Sequence, residues 1–349
     1  MRLDLENWLE PFWQSDIMVD ESVMMVSNAQ GVPEAVLLFE PLRIVAVKSA
    51  RLDVEYEEGV DWRYADGHLQ LLPVSRAPYV TCEELHPASE DGGTGLLWHE
   101  GHWFHDRQLA VTYTHAPDAW RGPVPAEEEA NMARTLAKLR SGQPLKVVLY
   151  GDSIAEGYNA SGFVSQDKQV PPYMPSWGEL IAWRLGKIYR SEIAFRNAAL
   201  ACKDTRWGVE HTRILVAKEI PDLVILAFGM NDGSANHAPA AFIANIRAMM
   251  DEVREGNPAA EFMLVSPMLP NPASSAVGLQ EAYEEPLRQL AMEEGTAFVN
   301  MTGVHRELLK RKRYPDMTGN HVNHPNDYLM RWYAQQVSGN LLPKRPSWT

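Results

Sequence analysis

The sequence VVLYGDSIAEG, residues 147–157, passes from an unbroken apolar run into a glycine, an aspartate and a serine. A short apolar run of this kind predicts a buried strand, and Gly151 is the residue at which the strand would break. Ser153 would then stand at the start of the next element, exposed at the end of the strand. A serine in that position can serve as a nucleophile if a base lies beside it.

Strands and helices alternate from this stretch to the C-terminus. Apolar runs predict five strands, at 146–150, 192–197, 222–228, 261–267 and 296–301. Helical periodicity predicts five helices, at about 176–188, 205–218, 239–254, 278–294 and 326–338. The alternation is typical of an α/β fold with a doubly wound, parallel five-stranded sheet, whose ligands lie outside the carboxyl ends of the strands. Ser153, Cys202 and Asn231 each follow a predicted strand, so we expect them to converge.

The first third of the chain has a different pattern, in which short alternating runs are separated by Gly, Pro and Asp. The runs are Ala35–Phe39, Arg43–Val47, Leu52–Tyr56, His68–Leu72 and Leu109–Thr114. They predict an antiparallel, jelly-roll-like β-sandwich, and the apolar spacing of Glu127–Leu139 predicts a helix after it. We therefore predict an N-terminal domain over residues 1–125, a linking helix over 126–143 and a second domain over 144–349.

The composition limits the classes of partner. The 349 residues carry a net charge of −14, which argues against binding to a nucleic-acid backbone. No stretch has the roughly 18 apolar residues of a membrane span, and we see no signal peptide, so the simplest expectation is a cytoplasmic protein. Cys82 and Cys202 are far apart, which implies neither a disulfide framework nor a four-ligand metal site. We expect no metal and no cofactor. Homo-oligomerisation is left open.

Histidines are concentrated at one place in the N-terminal region, in the run HEGHWFHD at residues 99–106. The spacing of His99, His102 and His105 raises the question of a metal site, but it is not the spacing of a helical zinc motif, and large aromatic residues interrupt it. We favour a hairpin that packs on the sandwich or at the domain interface. A second segment, Asn159–Pro175, is long for a loop after a strand, and we expect either a pocket rim or a plain surface excursion.

Four motifs now stand in a fixed order: GDS at 151–153, the segment Asn197–Gly208, GMND at 229–232 and HPN at 324–326. This order resembles the four sequence blocks of SGNH (GDSL-type) hydrolases, and the resemblance covers residues 146–340. It implies a flavodoxin-like sheet. With the sandwich in front, the chain is also similar to two-domain carbohydrate acetyl esterases.

The resemblance implies an ester hydrolase in which Ser153 attacks and His324 is the base. It also implies that the backbone amides of Ser153 and Cys202 and the side-chain amide of Asn231 form the oxyanion hole. The expected substrate is a small-molecule ester, with a short acyl group, acetyl above all, on a sugar or oligosaccharide. An acyltransferase that uses the same site and a non-catalytic carbohydrate-binding relative are the alternatives.

Two positions depart from the family pattern. Cys202 aligns with a glycine of the family, and Gly208 is the other candidate for that place. His321 stands three residues before His324, where the family usually carries the aspartate of a catalytic triad. Asp316, Asp327 or a backbone carbonyl could replace that acid, and we favour a Ser–His dyad oriented by a carbonyl or a water.

Each motif also has a purely structural interpretation. Asp152 and Ser153 are good N-cap residues, Asn231 and Asp232 suit a turn after a strand, and His324-Pro-Asn326 suits the start of a helix. The order of the motifs along the chain is what favours the catalytic interpretation.

Overall fold

The computed structural model of the protein describes residues 4–89, 93–126, 128–163 and 169–343. Two antiparallel sheets of four strands come first, and a parallel sheet of five strands with its helices follows. The expected fold class, an α/β domain preceded by a β-sandwich, is confirmed.

The N-terminal region begins with a short helix, α1 (Leu5–Trp8), and builds two sheets. The strands of the first sheet are β1 (Ile17–Met24), β4 (Pro41–Ser49), β5 (Glu55–Tyr56) and β8 (Gln108–His115), in the spatial order β1-β8-β4-β5. The strands of the second sheet are β2 (Val26–Ser27), β3 (Pro33–Ala35), β6 (Trp62–Ala65) and β7 (His68–Leu71), in the order β2-β3-β7-β6. A single-turn helix, α2 (Cys82–Leu85), follows the second sheet.

Two of the predicted N-terminal runs are only partly strands: Leu52–Tyr56 is a strand only over Glu55–Tyr56, and Ala35–Phe39 only at its first residue. The run Ala35–Phe39 leaves the sheet after Ala35, because side chains take over the hydrogen bonds of its backbone. The Leu38 amide donates to a carboxylate oxygen of Glu21 at 2.9 Å, and the Phe39 amide donates to the Tyr113 hydroxyl at 3.1 Å. The prediction of a strand to residue 39 was therefore wrong.

The parallel sheet matches the prediction closely. Its strands are β9 (Leu145–Gly151), β10 (Ile193–Asn197), β11 (Leu223–Ala227), β12 (Glu261–Val265) and β13 (Ala297–Val299), in the spatial order β10-β9-β11-β12-β13. The chain therefore adds its second strand on one side of β9 and its third strand on the other side. Such a reversal opens a crevice at the carboxyl ends of the two strands concerned, here β9 and β11.

The helices after the sandwich carry the labels α3 to α12 in chain order. They are α3 (Ala133–Arg140), α4 (Ser153–Glu156), α5 (Trp177–Tyr189), α6 (Thr205–Leu215), α7 (Met230–Ser234), α8 (Pro239–Gly256), α9 (Glu284–Glu294), α10 (Met301–Leu308), α11 (Tyr314–Met317) and α12 (Asp327–Gly339). The five predicted helices correspond to α5, α6, α8, α9 and α12. The linking helix starts later than predicted, at Ala133, and residue 127 lies outside the described ranges. No helix of the described chain has the length and apolar character needed to cross a membrane.

The sheet is buried on both faces. Val147 and Leu149 of β9 belong to one hydrophobic cluster, and their neighbours Val148 and Tyr150 belong to another. Alternation along a strand sends successive side chains to opposite faces, so each face has its own apolar layer. A strand covered on both sides reads as the continuous apolar run seen at residues 147–150.

The sandwich and the parallel-sheet region are packed together. One cluster of buried apolar residues runs from the sandwich to α12. The Arg331 guanidinium donates to the carbonyls of Val19 at 2.7 Å and Asp20 at 2.6 Å, and the Asn326 side-chain amide donates to Gln108 Oε1 at 3.1 Å. The domain limits drawn from the sequence stay a prediction, but the two regions share a core.

Candidate active site

The turn after β9 delivers Ser153 to the crevice. Gly151 is required there, because a Cβ would come within 2.3 Å of the carbonyl oxygen of Ala227 on β11. Asp152 is the N-cap of α4, and its Oδ1 accepts from the Ile154 amide at 3.0 Å. Ser153 is the first residue of α4 and is 5 % exposed, so the expectation of an exposed serine was wrong. The backbone around the serine is thus fixed by close packing and by a cap.

His324 lies directly against this serine. The distance from His324 Nε2 to Ser153 Oγ is 2.9 Å, although the two residues are 171 positions apart in the sequence. The His324 amide donates to Asn320 Oδ1 at 3.0 Å, and Asn326 caps α12 by accepting from the Leu329 amide. The HPN motif is therefore a helix start, as its structural interpretation requires, and it also positions the histidine.

The other ring nitrogen of His324 faces two side chains that the sequence did not identify. Nδ1 is 3.2 Å from Glu100 Oε2 and 3.1 Å from Asn159 Oδ1. Because both neighbours of Nδ1 are oxygen acceptors, the hydrogen-bond network assigns the ring proton to Nδ1 and leaves Nε2 free to accept from the Ser153 hydroxyl. Although partial burial raises the pKa of Glu100, its contacts with His324 and Asn320 hold that pKa below its ordinary value.

Neither aspartate proposed as an alternative acid contacts His324. Asp316 accepts from the amides of Met24 and Arg313, both at 2.8 Å. Asp327 accepts from the Ser161 amide at 2.7 Å. Both carboxylates are engaged in joining chain segments, and the structure does not bring them to the histidine. The expectation of a backbone carbonyl at Nδ1 also fails, since the described partners are side-chain oxygens.

His321 occupies the place of the family aspartate but turns away from the site. Its Nδ1 is 2.8 Å from the carbonyl oxygen of Leu97, and its ring lies beside that of Phe104, with centroids 5.4 Å apart. Burial lowers the pKa of His321 to about 4, so the ring is neutral at physiological pH. It is a packing residue between the two regions.

The predicted oxyanion donors lie around the same crevice. Asn231 is in the first turn of α7, and its Nδ2 donates one hydrogen to the Lys203 carbonyl at 2.9 Å. The second hydrogen of that amide is left for a ligand. Cys202 has a φ of 61°, a left-handed conformation that glycine adopts more readily. Its backbone amide donates no hydrogen bond within the described chain.

Gly208, the other candidate for the place of the family glycine, lies inside α6. A Cβ there would come within 2.7 Å of the Met249 sulfur, so this glycine serves helix packing. Cys202, with its left-handed backbone and its place after β10, is the better of the two candidates for the oxyanion residue.

Asp152 connects the serine turn to the asparagine turn. Its Oδ1 caps α4, while its Oδ2 is 3.4 Å from the Met230 amide at the start of α7. Burial raises the pKa of Asp152 to about 7, and the charge of Asp232 adds to the rise. The contacts of this carboxyl group hold the backbone beside Ser153 and Asn231 in one arrangement.

The histidine cluster contacts the second region of the chain through His105. His105 Nε2 is 2.8 Å from the Pro171 carbonyl oxygen. Among the described residues there is no group of three or more His, Cys, Asp or Glu side chains that could hold a metal ion. The cluster forms a loop and a short 3₁₀ turn rather than the hairpin that we expected, and it lies at the interface between the two regions.

Comparisons with known proteins place this geometry in context. The sequence model described as the GDSL-like Lipase/Acylhydrolase family matches residues 149–332. A search of the curated proteins found no match.

Several solved structures resemble the chain. A two-domain esterase (CEX), described as active on acetylated mannans, is 17% identical with a TM-score of 0.48, and the match covers 63% of this chain and 53% of that one. The acetylxylan esterase Axe2 from Geobacillus stearothermophilus is 18% identical with a TM-score of 0.47, covering 59% and 97%. A lipase/acylhydrolase from Enterococcus faecalis is 21% identical with a TM-score of 0.45, covering 58% and 100%. The chain thus spans about half the length of the two-domain esterase.

Proposed function

We propose that this chain, which belongs to the GDSL-like lipase/acylhydrolase family, is a carboxylic ester hydrolase that removes short acyl groups, acetyl above all, from sugars or oligosaccharides by a serine mechanism. One observation carries the mechanism: the hydrogen bond of 2.9 Å between Ser153 Oγ and His324 Nε2. A serine hydroxyl becomes an effective nucleophile when a base at this distance can take its proton.

The reaction proceeds in two halves. Ser153 Oγ attacks the acyl carbonyl carbon while His324 Nε2 takes the hydroxyl proton, which gives a tetrahedral oxyanion. The intermediate collapses, the C–O bond to the sugar breaks, and His324 returns the proton to the departing sugar oxygen. Water then attacks the acyl-enzyme with His324 as base again, and collapse of the second tetrahedral intermediate releases the carboxylic acid and restores Ser153.

The oxyanion is stabilised by three donors that flank the serine. They are the amides of Ser153 and Cys202 and the free hydrogen of Asn231 Nδ2. The first amide of a helix has no acceptor within that helix, and the Asn231 side chain is held by Lys203. Donors that are fixed before the reaction stabilise the developing charge without reorganising, which is the condition for strong electrostatic catalysis.

A pocket lined in part by Glu100, whose carboxylate contacts His324, supports a sugar as the alcohol part of the ester. Its volume is about 430 Å³, and its lining includes Trp98, Ser274, Asn320 and Asn323. The Trp98 side chain is exposed, at 62 %, although it is large and apolar. An accessible indole face next to amide and hydroxyl groups suits a sugar ring, which has both apolar faces and hydroxyl groups.

A substrate panel tests the proposal. We expect wild-type protein to hydrolyse p-nitrophenyl acetate faster than longer-chain esters and to release acetate from acetylated mono- and oligosaccharides. The Ser153→Ala variant is the matched control. If neither substrate class is cleaved, or if the variant cleaves as fast as wild type, the proposal fails. Transfer of acetyl groups to an added acceptor sugar, in place of free acetate, would favour the acyltransferase alternative.

A further inference from the structure

A short segment of the N-terminal region closes one side of the candidate site, and we call residues 97–101 the closing segment. It makes a hydrogen bond to each of three residues near His324: the Leu97 carbonyl lies 2.8 Å from His321 Nδ1, Glu100 Oε1 accepts from Asn320 Nδ2 at 3.0 Å, and the Gly101 carbonyl accepts from Asn159 Nδ2 at 3.2 Å. These contacts join the closing segment to the loops before α12 and after α4. The position of Glu100 is therefore fixed from three directions.

We propose that Glu100 is the carboxylate partner of His324, so that the N-terminal region supplies the third member of a Ser–His–Glu triad. The inference rests on the proposed function, because the role of Glu100 has meaning only if Ser153 and His324 act as nucleophile and base. Glu100 acts through His324, and it is therefore a positioning residue.

The choice between Glu100 and Asn159 follows from charge. Both side chains offer an oxygen to the single proton on Nδ1, at 3.2 Å and 3.1 Å. When the serine proton moves to Nε2, the ring becomes an imidazolium cation, and only a carboxylate offsets that charge. The Asn159 amide is oriented by the Gly101 carbonyl, so its oxygen keeps the ring in place. Glu100 therefore offsets the positive charge of the imidazolium, whereas Asn159 helps to orient the ring through a hydrogen bond.

Other ionisable groups surround the histidine. Asp152 and Glu156 lie near enough for their charges to act on His324, and the Tyr158 ring lies against it with centroids 5.2 Å apart. Asp152 is committed to two backbone amides, and Glu156 accepts from the Ala201 amide. Within the described ranges, Glu100 is the carboxylate that contacts the imidazole: each of its two oxygens lies 3.2 Å from His324 Nδ1.

The test is the Glu100→Gln variant of the full chain, assayed with p-nitrophenyl acetate across pH. We expect kcat to fall on the order of 10³, less than the roughly 10⁴ of a triad whose aspartate is replaced, because Asn159 still accepts from Nδ1. The acidic limb of kcat/KM, which reports the free base, should also move to lower pH by about one unit, since the imidazolium loses a neighbouring negative charge.

Comparison variants separate this role from a structural one. Asn159→Ala should lose less than about tenfold in kcat and leave the acidic limb in place, because it removes an acceptor without charge. Glu83→Gln, at an exposed glutamate of α2, should behave as wild type. Glu100→Asp, which keeps the charge with a shorter reach, should recover part of the lost rate and return the acidic limb toward its wild-type position.

The outcomes distinguish the two proposals. A Glu100→Gln variant within tenfold of wild type, with an unmoved acidic limb, would overturn the role of Glu100 while leaving the Ser153 mechanism intact. Absence of Ser153-dependent hydrolysis in the wild type would overturn the proposed function itself. If Glu100→Gln does not fold, as judged by circular dichroism, Glu100→Ala decides the question: a kcat within tenfold of wild type and an unmoved acidic limb would contradict the proposal.

Discussion

Two parts of the molecule meet at His324: the carboxyl-end edge of the parallel sheet and the closing segment. Different kinds of contact hold these two parts in place. At the sheet edge, Ser153 follows β9 and Asn231 follows β11, and the paired strands fix the distance between them. The closing segment belongs to no strand or helix, and side-chain hydrogen bonds hold it in place. Strand pairing therefore determines where Ser153 lies, whereas a few polar contacts determine how His324 is held.

This difference predicts two kinds of variant. Changes at the sheet edge remove groups that touch the reacting atoms, so they should reduce the rate while the protein stays folded. Changes around the interface should affect orientation, stability or both. The variants below test whether changes at the sheet edge affect only the rate and whether changes at the interface affect orientation or stability.

The largest effect is expected at the Ser153–His324 pair. Ser153→Ala and His324→Ala should each reduce kcat for p-nitrophenyl acetate by on the order of 10⁴ or more, because nucleophile and base act as one unit. For the same reason, the double variant should be little worse than either single one. A double variant that loses the product of the two single losses would show that the residues act independently.

A substitution at Asn231 tests the end of β11. Asn231→Ala should lower kcat by about 10²–10³ with little change in KM, since an oxyanion donor acts chiefly in the transition state. Asn236→Gly, at an exposed residue after the same helix with a φ of 54°, is the matched control and should behave as wild type. An unchanged kcat in Asn231→Ala would mean that Asn231 only shapes the turn.

Substitutions at Asp316 and Asp327, the two aspartates near the HPN motif, test the expected effects of changes around the interface. Asp316→Asn and Asp327→Asn should each stay within roughly tenfold of wild-type kcat, or about 1.4 kcal/mol in the barrier, because neither carboxylate reaches His324. Asp316→Asn should instead lower the free energy of unfolding by about 2–4 kcal/mol, since this buried carboxylate accepts from Met24 and Arg313. Kinetic assays and urea titrations measure the two quantities separately, and a thousandfold loss of kcat at either aspartate would contradict the role of Glu100.

The pH dependence of stability gives a further check on Asp316. Although burial raises its pKa, the charges of Arg313 and Lys312 and two backbone amides bring the pKa of Asp316 below its ordinary value. A depressed pKa in the folded state stabilises the protein above the unfolded pKa of about 3.9, and this contribution is lost as the pH falls through the folded value. The stability difference between wild type and Asp316→Asn should therefore be full at neutral pH and shrink in acid.

The smallest effect is expected at Cys202. Cys202→Gly keeps the backbone amide and suits the left-handed φ of 61°, so kcat should change less than about threefold. The midpoint of thermal unfolding should stay the same or rise slightly, because the strain of a Cβ in this conformation is removed. A loss as large as that of Ser153→Ala would implicate the thiol in the reaction.

The sequence was sufficient to predict which residues meet at the sheet edge, but not the contacts of the closing segment. The apolar run of β9, its break at Gly151 and the motifs after later strands predicted which residues would meet, because parallel strands bring their carboxyl ends to one edge. Glu100 could not be found in this way. It is 224 residues from His324 in the sequence, and its segment has no periodic pattern. The only signal was a glutamate within a histidine- and aromatic-rich run, which we interpreted as packing.

The other differences between the predicted and the observed secondary structure have a similar origin. The strand predicted to residue 39 ends early because Glu21 and Tyr113 bind the backbone of Leu38 and Phe39, and such long-range contacts leave no trace in a local pattern. The short helices α4, α7 and α11 were missed because four or five residues show no helical period. Local pattern thus predicted the five strands of the parallel sheet and the five longest helices after the sandwich, and only the folded structure revealed the shorter helices and the contacts between elements.

Covalent labelling tests the central claim most directly. A fluorophosphonate probe reacts with a serine that an adjacent base activates, and the modified residue can be identified by mass spectrometry of peptides. We expect stoichiometric labelling of Ser153 in the wild type, no labelling in Ser153→Ala, and strongly slowed labelling in His324→Ala. Failure of the folded wild-type protein to react, or modification of a different serine, would contradict the assignment of Ser153 as the nucleophile.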